Sequence, residues 1–197
     1  RTDSKWDDVI NLSQQVISEV DLLLKRLKNE AERKLVEAEK GLTDLKAENA
    51  QQYAPERLID VTDLVNQVDS LIKQNKDYIN ARNKADLAIQ KAREGIDAVK
   101  REKCKEAISE IEGNIVIAVE EGAEIYSEAK LREVNQAYDS LSADFQDNKF
   151  EKVLLATDLL KDKVKILVNT TKRAAAQARM DKLSETISKL IEAGVKE

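Results

Sequence analysis

The chain has 197 residues, no histidine, one cysteine and a formal net charge of −5 at pH 7. This inventory excludes an intramolecular disulfide, a Cys/His zinc site and any catalytic relay that depends on histidine. Charged residues make up 36% of the chain and aromatic residues 4%, with five glycines and one proline, which is typical of long amphipathic helices.

Three long helices are predicted, and each begins at an aromatic residue. They run from Trp6 to about Ala50, from Tyr78 to near Ile125, and from Phe150 to about Ala193. Their starts read DSKWDDV, NKDYINA and DNKFEKV, with the aromatic residues 72 positions apart. At about 1.5 Å per residue, the middle helix would be on the order of 70 Å long.

The apolar positions repeat along the whole chain, so the chain is an array of similar units. In the first half of each long helix, steps of 72 relate the following triplets: Trp6, Tyr78 and Phe150; Val9, Ala81 and Val153; Ser13, Ala85 and Thr157; Val16, Ala88 and Leu160; Val20, Ala92 and Val164. In the second half, steps of 73 and 72 relate these: Leu35, Ile108 and Met180; Ala38, Ile111 and Leu183; Leu42, Ile115 and Ile187; Leu45, Ala118 and Leu190.

The middle helix is predicted to continue through a charged break in its apolar seam. The seam runs from Tyr78 to Val99, skips KREK at residues 100–103, and resumes at Cys104. The four skipped residues include no Gly or Pro, so nothing in them breaks a helix. We therefore expect one helix whose buried face rotates midway, joining a first unit at 1–99 to a second at 100–197.

Two short helices are predicted between the long ones, because their seams match position for position. The matching residues are Leu58, Val61, Val65, Val68 and Ile72, and Leu131, Val134, Tyr138, Leu141 and Phe145. Pro55 suits the first turn of a helix, Ser127 is a predicted N-cap, and Asn148 with Glu151 has capping-box spacing. The expected fold is an elongated all-α tandem of three-helix bundles that share long continuous helices, with a spectrin-like topology and a repeat of about 72 residues.

One segment of the first unit resembles a known helical domain. The string AENAQQYAPERLIDV carries an A-x-x-Y-A-P-E-x-L core from Ala50 to Leu58 and is followed by DYINARNKADLAIQKA. This pattern resembles an uncharacterised alanine-rich domain of Gram-negative envelope proteins and lipoproteins, over roughly residues 35–100. In the second copy, Glu128 replaces the proline. The resemblance implies a periplasmic or outer-membrane-associated location and brings no known active site.

The sequence predicts no catalytic, cofactor-binding or metal site. Cys104 aligns with Ala31 and Ala176, so we expect a buried small residue rather than a reactive thiol. Glutamate pairs such as Glu106 with Glu110 lack the histidines of di-iron bundles and are expected to be solvated. No basic face indicates nucleic-acid binding, and no apolar run reaches the ~18 residues of a membrane span. Any membrane tether would lie outside this chain.

The ends of the chain carry apolar stripes for which the repeat provides no cover. Between Arg1 and Glu197 lie three long helices but only two short ones, so we expect further chain or a partner to cover the terminal half-helices. The residues concerned are Trp6, Leu12, Val16, Val20, Leu23 and Leu27 near one end, and Met180, Leu183, Ile187 and Leu190 near the other. Such stripes favour a protein partner or self-association.

The predicted function is a non-catalytic scaffold or protein-interaction module of the bacterial envelope that acts through helix faces. One alternative is a helical carrier of lipid or another apolar ligand. A carrier would need a loosely packed, alanine-poor interior, whereas residues 81, 85, 88 and 92 are all alanine. Another alternative is a designed helical repeat protein, whose copies would be nearly identical in sequence, unlike these.

Overall fold

The computed structural model describes residues 3–194, so the predictions that concern Arg1 and Glu197 lie outside the described part. This part contains helices and no strands. The helices are α1 (Asp3–Ala47), α2 (Ala50–Tyr53), α3 (Pro55–Ser70), α4 (Tyr78–Glu120), α5 (Ala123–Tyr126), α6 (Glu128–Gln146) and α7 (Phe150–Glu192). A π-helical turn, Leu71–Asn75, continues α3. The all-α prediction is confirmed.

Two of the three long helices begin at the predicted residues, whereas α1 is already helical at Asp3, before Trp6. α4 and α7 begin at Tyr78 and Phe150, the two aromatic residues proposed as helix starts. α4 continues through the charged residues 100–103 without interruption. Buried Val99 precedes this segment and buried Cys104 follows it, which is the predicted change of face.

The helix ends that precede the short helices differ from the prediction. α1 ends at Ala47 and α4 at Glu120, and the tyrosines lie in the single-turn helices α2 and α5. The interruptions fall where Asn49 and Gly122 adopt left-handed backbone conformations, with φ of 66° and 92°. Glycine has no Cβ to clash in this region, and asparagine tolerates it. The predicted ends at about Ala50 and near Ile125 were therefore three and five residues too late.

The predicted capping box at the start of α7 is absent. Lys149 holds the N-cap position, and no side chain makes a capping hydrogen bond there. Asn148 has a left-handed backbone with φ of 59°, as Lys76 does at the equivalent corner with 54°. The Glu151 carboxylate lies 2.7 Å from the Lys100 ammonium instead of returning to the helix terminus.

The starts of the two short helices, α3 and α6, lie where they were predicted. Pro55 occupies the first turn of α3, where its missing N–H leaves no helical hydrogen bond unmade. Ser127 precedes α6 at the N-cap position but makes no side-chain cap. Its buried hydroxyl has no hydrogen-bond partner among the described residues.

The chain divides into two compact units, Arg1–Val99 and Lys100–Glu197. In the first unit, side chains of α1, α3 and α4 form one apolar core, whose largest fully buried members are Leu45, Val61, Val68 and Val99. Alanines line the contact between α1 and α4, namely Ala31, Ala38, Ala81, Ala85, Ala88 and Ala92. Small side chains let two helix backbones approach closely.

The core of the second unit is formed by α4, α6 and α7. Ile111 from α4 and Leu167 from α7 are fully buried, and Leu131 and Leu141 come from α6. Phe145 and Phe150 meet at the end of this core, with ring centroids 5.8 Å apart. Larger side chains occupy the α4–α7 contact here than the alanines of the first unit.

Candidate functional site

The first half of α1 exposes a stripe of apolar side chains. Trp6 is 67% exposed, Leu23 56%, and Val16 and Val20 about half, while Leu27 is half-buried. Helical spacing places five more exposed residues on the same side of the helix: Val9, Ile10, Leu12, Ile17 and Leu24. We refer to these ten residues as the α1 stripe. Of the five additional residues, only Leu12 was among the sequence-predicted stripe positions.

The second half of α7 exposes a similar stripe. Met180, Leu183, Ile187 and Leu190 are all exposed, as is Ile191 on the same side of the helix. We refer to these five residues as the α7 stripe. Isolated exposed apolar residues are common on protein surfaces, but contiguous apolar patches mark interaction sites.

The central positions of the α1 stripe are buried in both other copies of the repeat. Val16 is exposed, whereas its counterparts Ala88 in unit 1 and Leu160 in unit 2 are buried. The same holds for Val9 with Ala81 and Val153, and for Val20 with Ala92 and Val164. The α1 stripe therefore has the residue spacing of a buried helix face, although its own residues are exposed.

The α7 stripe has the same relationship to its own counterparts. Leu183 is 61% exposed, whereas Ala38 in unit 1 and Ile111 in unit 2 are fully buried. Leu190 is exposed, and its counterparts Leu45 and Ala118 are fully buried. Each stripe thus presents to solvent the residues that the repeat elsewhere uses to hold helices together.

Three positions of the α1 stripe carry a basic residue in one of the two internal copies. These basic residues contact neighbouring helices: Arg82 with Glu30 (3.4 Å), Lys84 with Gln67 (2.6 Å) and Lys161 with Glu110. Ile10, Leu12 and Ile17 hold the same three positions in α1. The other internal copy has apolar residues there, namely Leu154, Ala156 and the buried Ile89. The three positions are therefore aliphatic in α1 and charged in one internal copy each.

An apolar groove of about 210 Å³ lies between α6 and α7. Leu141, Leu159 and Leu160 contribute to its lining. Asp144 at its edge lies 2.6 Å from the Lys152 ammonium, and this hydrogen bond, with a further one from Lys149, holds the pKa of the carboxyl below its usual range.

Cys104 is fully buried, as its alignment with small residues predicts. Its Sγ–H donates a long hydrogen bond of 3.5 Å to the Phe150 carbonyl, and burial raises the pKa of the thiol. Reactive cysteines need an exposed thiolate stabilised by nearby positive charge. Cys104 therefore functions as a packing residue.

Glu106 and Glu110, the glutamate pair named from the sequence, are exposed on α4. Glu110 pairs with Lys161, and the Glu121 carboxylate lies 3.5 Å from the Lys172 ammonium. Within residues 3–194, no group of three or more Asp, Glu or Cys side chains is placed to hold a metal ion. No helix in the same range has both the length and the apolarity needed to cross a bilayer.

Most aromatic residues at the helix ends pack against other parts of the protein. Tyr53 and Tyr78 pack at the edge of the first core, and Phe150 packs against the second. The Tyr126 ring lies close to Gly122, where an added Cβ would be 3.1 Å from ring atoms. Trp6, at the position equivalent to Tyr78 and Phe150, is exposed instead.

Comparisons with protein-family models, with curated proteins and with solved structures find no match for this chain. The candidate site is therefore defined by the geometry of α1 and α7: two apolar stripes whose central positions are buried in the other copies of the repeat.

Proposed function

We propose that the protein is a non-catalytic scaffold or protein-interaction module that binds through the α1 and α7 stripes. One observation carries this proposal. Val9, Val16 and Val20 of the α1 stripe and Leu183 and Leu190 of the α7 stripe are exposed, while the equivalent positions of the other two copies are buried. Apolar side chains at core-forming spacing on an exposed helix face are the feature by which helices recognise other helices.

The proposal includes the arrangement of the two units as an elongated tandem of three-helix bundles. Support comes from the three helices that contribute to each core and from α4, which contributes to both. Small-angle scattering would test this arrangement. A monomer built in this way should have a maximum dimension above roughly 100 Å, since a 43-residue helix alone spans about 65 Å. A radius of gyration near the ~16 Å of a globule of this size would contradict it.

A non-catalytic role is supported by the chemistry of the side chains. Histidine is absent from the sequence, and the cysteine is buried with a raised pKa. Asp144, at the edge of the apolar groove, is held ionised by lysine. The carrier alternative has less support, because fully buried alanines such as Ala81, Ala85 and Ala88 indicate close packing in the first core.

We propose a location in the bacterial envelope, periplasmic or attached to the outer membrane. The support is the resemblance of the segment from Ala50 to Leu58 to an envelope domain. Fractionation of the natural host would test it. Recovery of the protein with periplasmic or outer-membrane markers is expected, and recovery with cytoplasmic markers would contradict the location without affecting the interaction role.

Site-specific photocrosslinking in the natural host tests the interaction role. The photoreactive residue benzoylphenylalanine would replace Val20 in the α1 stripe or Ile187 in the α7 stripe. Leu155, which is 82% exposed and belongs to neither stripe, gives the matched control. Protein adducts are expected at Val20 and Ile187 and not at Leu155. Absence of adducts at both stripe positions would contradict the proposed function.

A further inference from the structure

We infer that the partner of each stripe is a second copy of this chain: the α7 stripe of one molecule packs along the α1 stripe of the next. This inference rests on the proposed function and identifies the partner. It follows from contacts that the chain already makes twice within itself. In each unit, the counterparts of the α7 stripe pack against the counterparts of the α1 stripe.

In the first unit, α1 and α4 approach each other closely at two glycines. A Cβ added to Gly41 would lie 3.1 Å from the Cβ of Ala92, and one added to Gly95 would lie 3.0 Å from Leu45 Cδ1. Leu45 is the counterpart of Leu190 in the α7 stripe, and Gly41 is the counterpart of Thr186, which adjoins the stripe residue Ile187. Ala92 and Gly95 belong to the register of the α1 stripe. The two registers are therefore direct neighbours in this core.

The second unit repeats the contact in the same direction. Lys161 pairs with Glu110, and Lys172 with Glu121. The residue numbers of both pairs differ by 51. Because the numbers rise together along the two helices, α4 and α7 run parallel here.

The repeat thus fixes the register of the intermolecular contact. The counterparts of Ala92 and Gly95 in α1 are Val20 and Leu23, and the counterpart of Leu45 in α7 is Leu190. The two helices should run parallel, with Leu190 of one molecule beside Leu23 of the next. Val20 should lie beside Thr186, the counterpart of Gly41.

The composition of the stripes suits burial between chains. The α1 stripe carries large aliphatic residues where α4 of unit 1 has alanine and glycine. The α7 stripe carries Met180, Leu183, Ile187 and Leu190, so large side chains are available on both helices. Ile10, Leu12 and Ile17 add aliphatic side chains at positions that carry an ion pair or polar contact in one internal copy each.

A contact between two different surfaces does not close on itself. Each molecule has one α1 stripe and one α7 stripe, so a bound pair still offers one free stripe of each kind. Heterologous contacts of this type extend into chains of subunits, or into rings where the geometry closes. The expected assembly therefore grows beyond a dimer as concentration rises.

Two complementary double variants test the inference. Val16→Glu with Val20→Glu blocks the α1 stripe, and Leu183→Glu with Leu190→Glu blocks the α7 stripe. All four positions are exposed, so both variants should keep the helical circular dichroism of the parent. Leu155→Glu, an exposed position outside both stripes, is the control. Mass would be measured by light scattering over a concentration series.

The parent and the control are expected to show a mass that rises beyond two chains. Each blocked variant alone is expected to remain a monomer, and an equimolar mixture of the two should form a dimer and nothing larger. Dimerisation of one blocked variant alone would overturn the inference in favour of like-with-like pairing. A parent that stays monomeric would overturn it too. If the photoadducts of the host experiment then contained another protein, the interaction role would stand.

A cysteine pair tests the register. In a Cys104→Ala background, Leu23→Cys and Leu190→Cys would be introduced in separate molecules, mixed and oxidised. The expected product is a disulfide-linked pair that contains one of each. Leu22→Cys mixed with Leu190→Cys is the control, because Leu22 is exposed on another side of α1. Equal yields from Leu22 and Leu23 would overturn the proposed register.

Discussion

Gly41 lies directly against Ala92, and a Cβ on Gly41 would be 3.1 Å from the Ala92 Cβ. This contact sets how closely α1 approaches α4. Gly113 is also inside a long helix, but a Cβ added there would meet nothing within 4 Å. Both glycines are helical, but an added side chain would press against another helix at Gly41 and would extend into open space at Gly113.

The glycine pair leads to the first prediction. Gly113→Ala should stabilise the fold by about 0.5–1 kcal/mol, because alanine loses less backbone entropy in a helix. Gly41→Ala should lose this gain and destabilise the first unit by roughly 1 kcal/mol through overpacking. Urea denaturation followed by circular dichroism measures both. Equal stabilisation by the two substitutions would contradict the close contact.

Thr171 provides a second prediction. Its hydroxyl is fully buried without a hydrogen-bond partner among the described residues, and its repeat counterpart is Val99. Thr171→Val should raise the free energy of unfolding by about 1 kcal/mol, because an unsatisfied polar group is replaced by an apolar one of the same shape. Thr157, whose hydroxyl donates to the Val153 carbonyl at 2.7 Å, is the control. Thr157→Val should give no comparable gain.

The third prediction concerns pH. Hydrogen bonds from Lys152 and Lys149 lower the folded-state pKa of Asp144. The interaction therefore contributes stability above the unfolded-state pKa, and that contribution is lost as the pH falls through the lowered folded-state pKa. NMR titration of the Asp144 carboxyl should give a pKa below the usual ~3.9. Lys152→Gln should move the pKa upward, and an unchanged value in this variant would show that the contact is not formed.

The fourth prediction concerns the single thiol. Because Cys104 is buried and its pKa is raised, a thiol reagent should modify it only when the second unit unfolds. Ser109→Cys in a Cys104→Ala background, which places a thiol on an exposed face of α4, should react at the rate of a free cysteine. Rapid labelling of Cys104 in the folded protein would contradict its burial.

Trp6 gives a fifth prediction, which reports on assembly. It is the only tryptophan, it is 67% exposed, and it lies in the α1 stripe. If the stripe is covered by a second molecule, its fluorescence emission should shift to shorter wavelength as concentration rises. The shift should be absent from the Val16→Glu, Val20→Glu variant. An emission maximum independent of concentration in the parent would indicate that Trp6 stays in water.

Much of the helical structure could be predicted because one pattern is repeated three times. The starts at Tyr78 and Phe150 and the continuity of α4 through residues 100–103 follow from local spacing and the absence of breakers. The left-handed turns at Asn49 and Gly122 were missed, because Gly122 lies within an apolar pattern that resembles helix interior. Where a glycine ends a helix depends on how the next element docks.

The stripes could be predicted from the seam, but their width could not. Ile10 and Ile17 flank the seam, and only the structure shows that Arg82 and Lys161 make ion pairs at the equivalent positions of one internal copy each. The capping box failed for a similar reason, since Glu151 pairs with Lys100 of another helix. Local motifs do not reveal a competing partner that tertiary structure supplies.

The uninterrupted passage of α4 from Val99 into Lys100 means that the boundary between the units is not a place where the chain can be divided. A helix end normally leaves four amides or four carbonyls without helical partners, which caps or water must satisfy. At this boundary those groups bond to each other within one helix. A fragment cut there would have an uncapped, fraying terminus that carries core residues. Separate expression of either half should include the helix beyond the boundary.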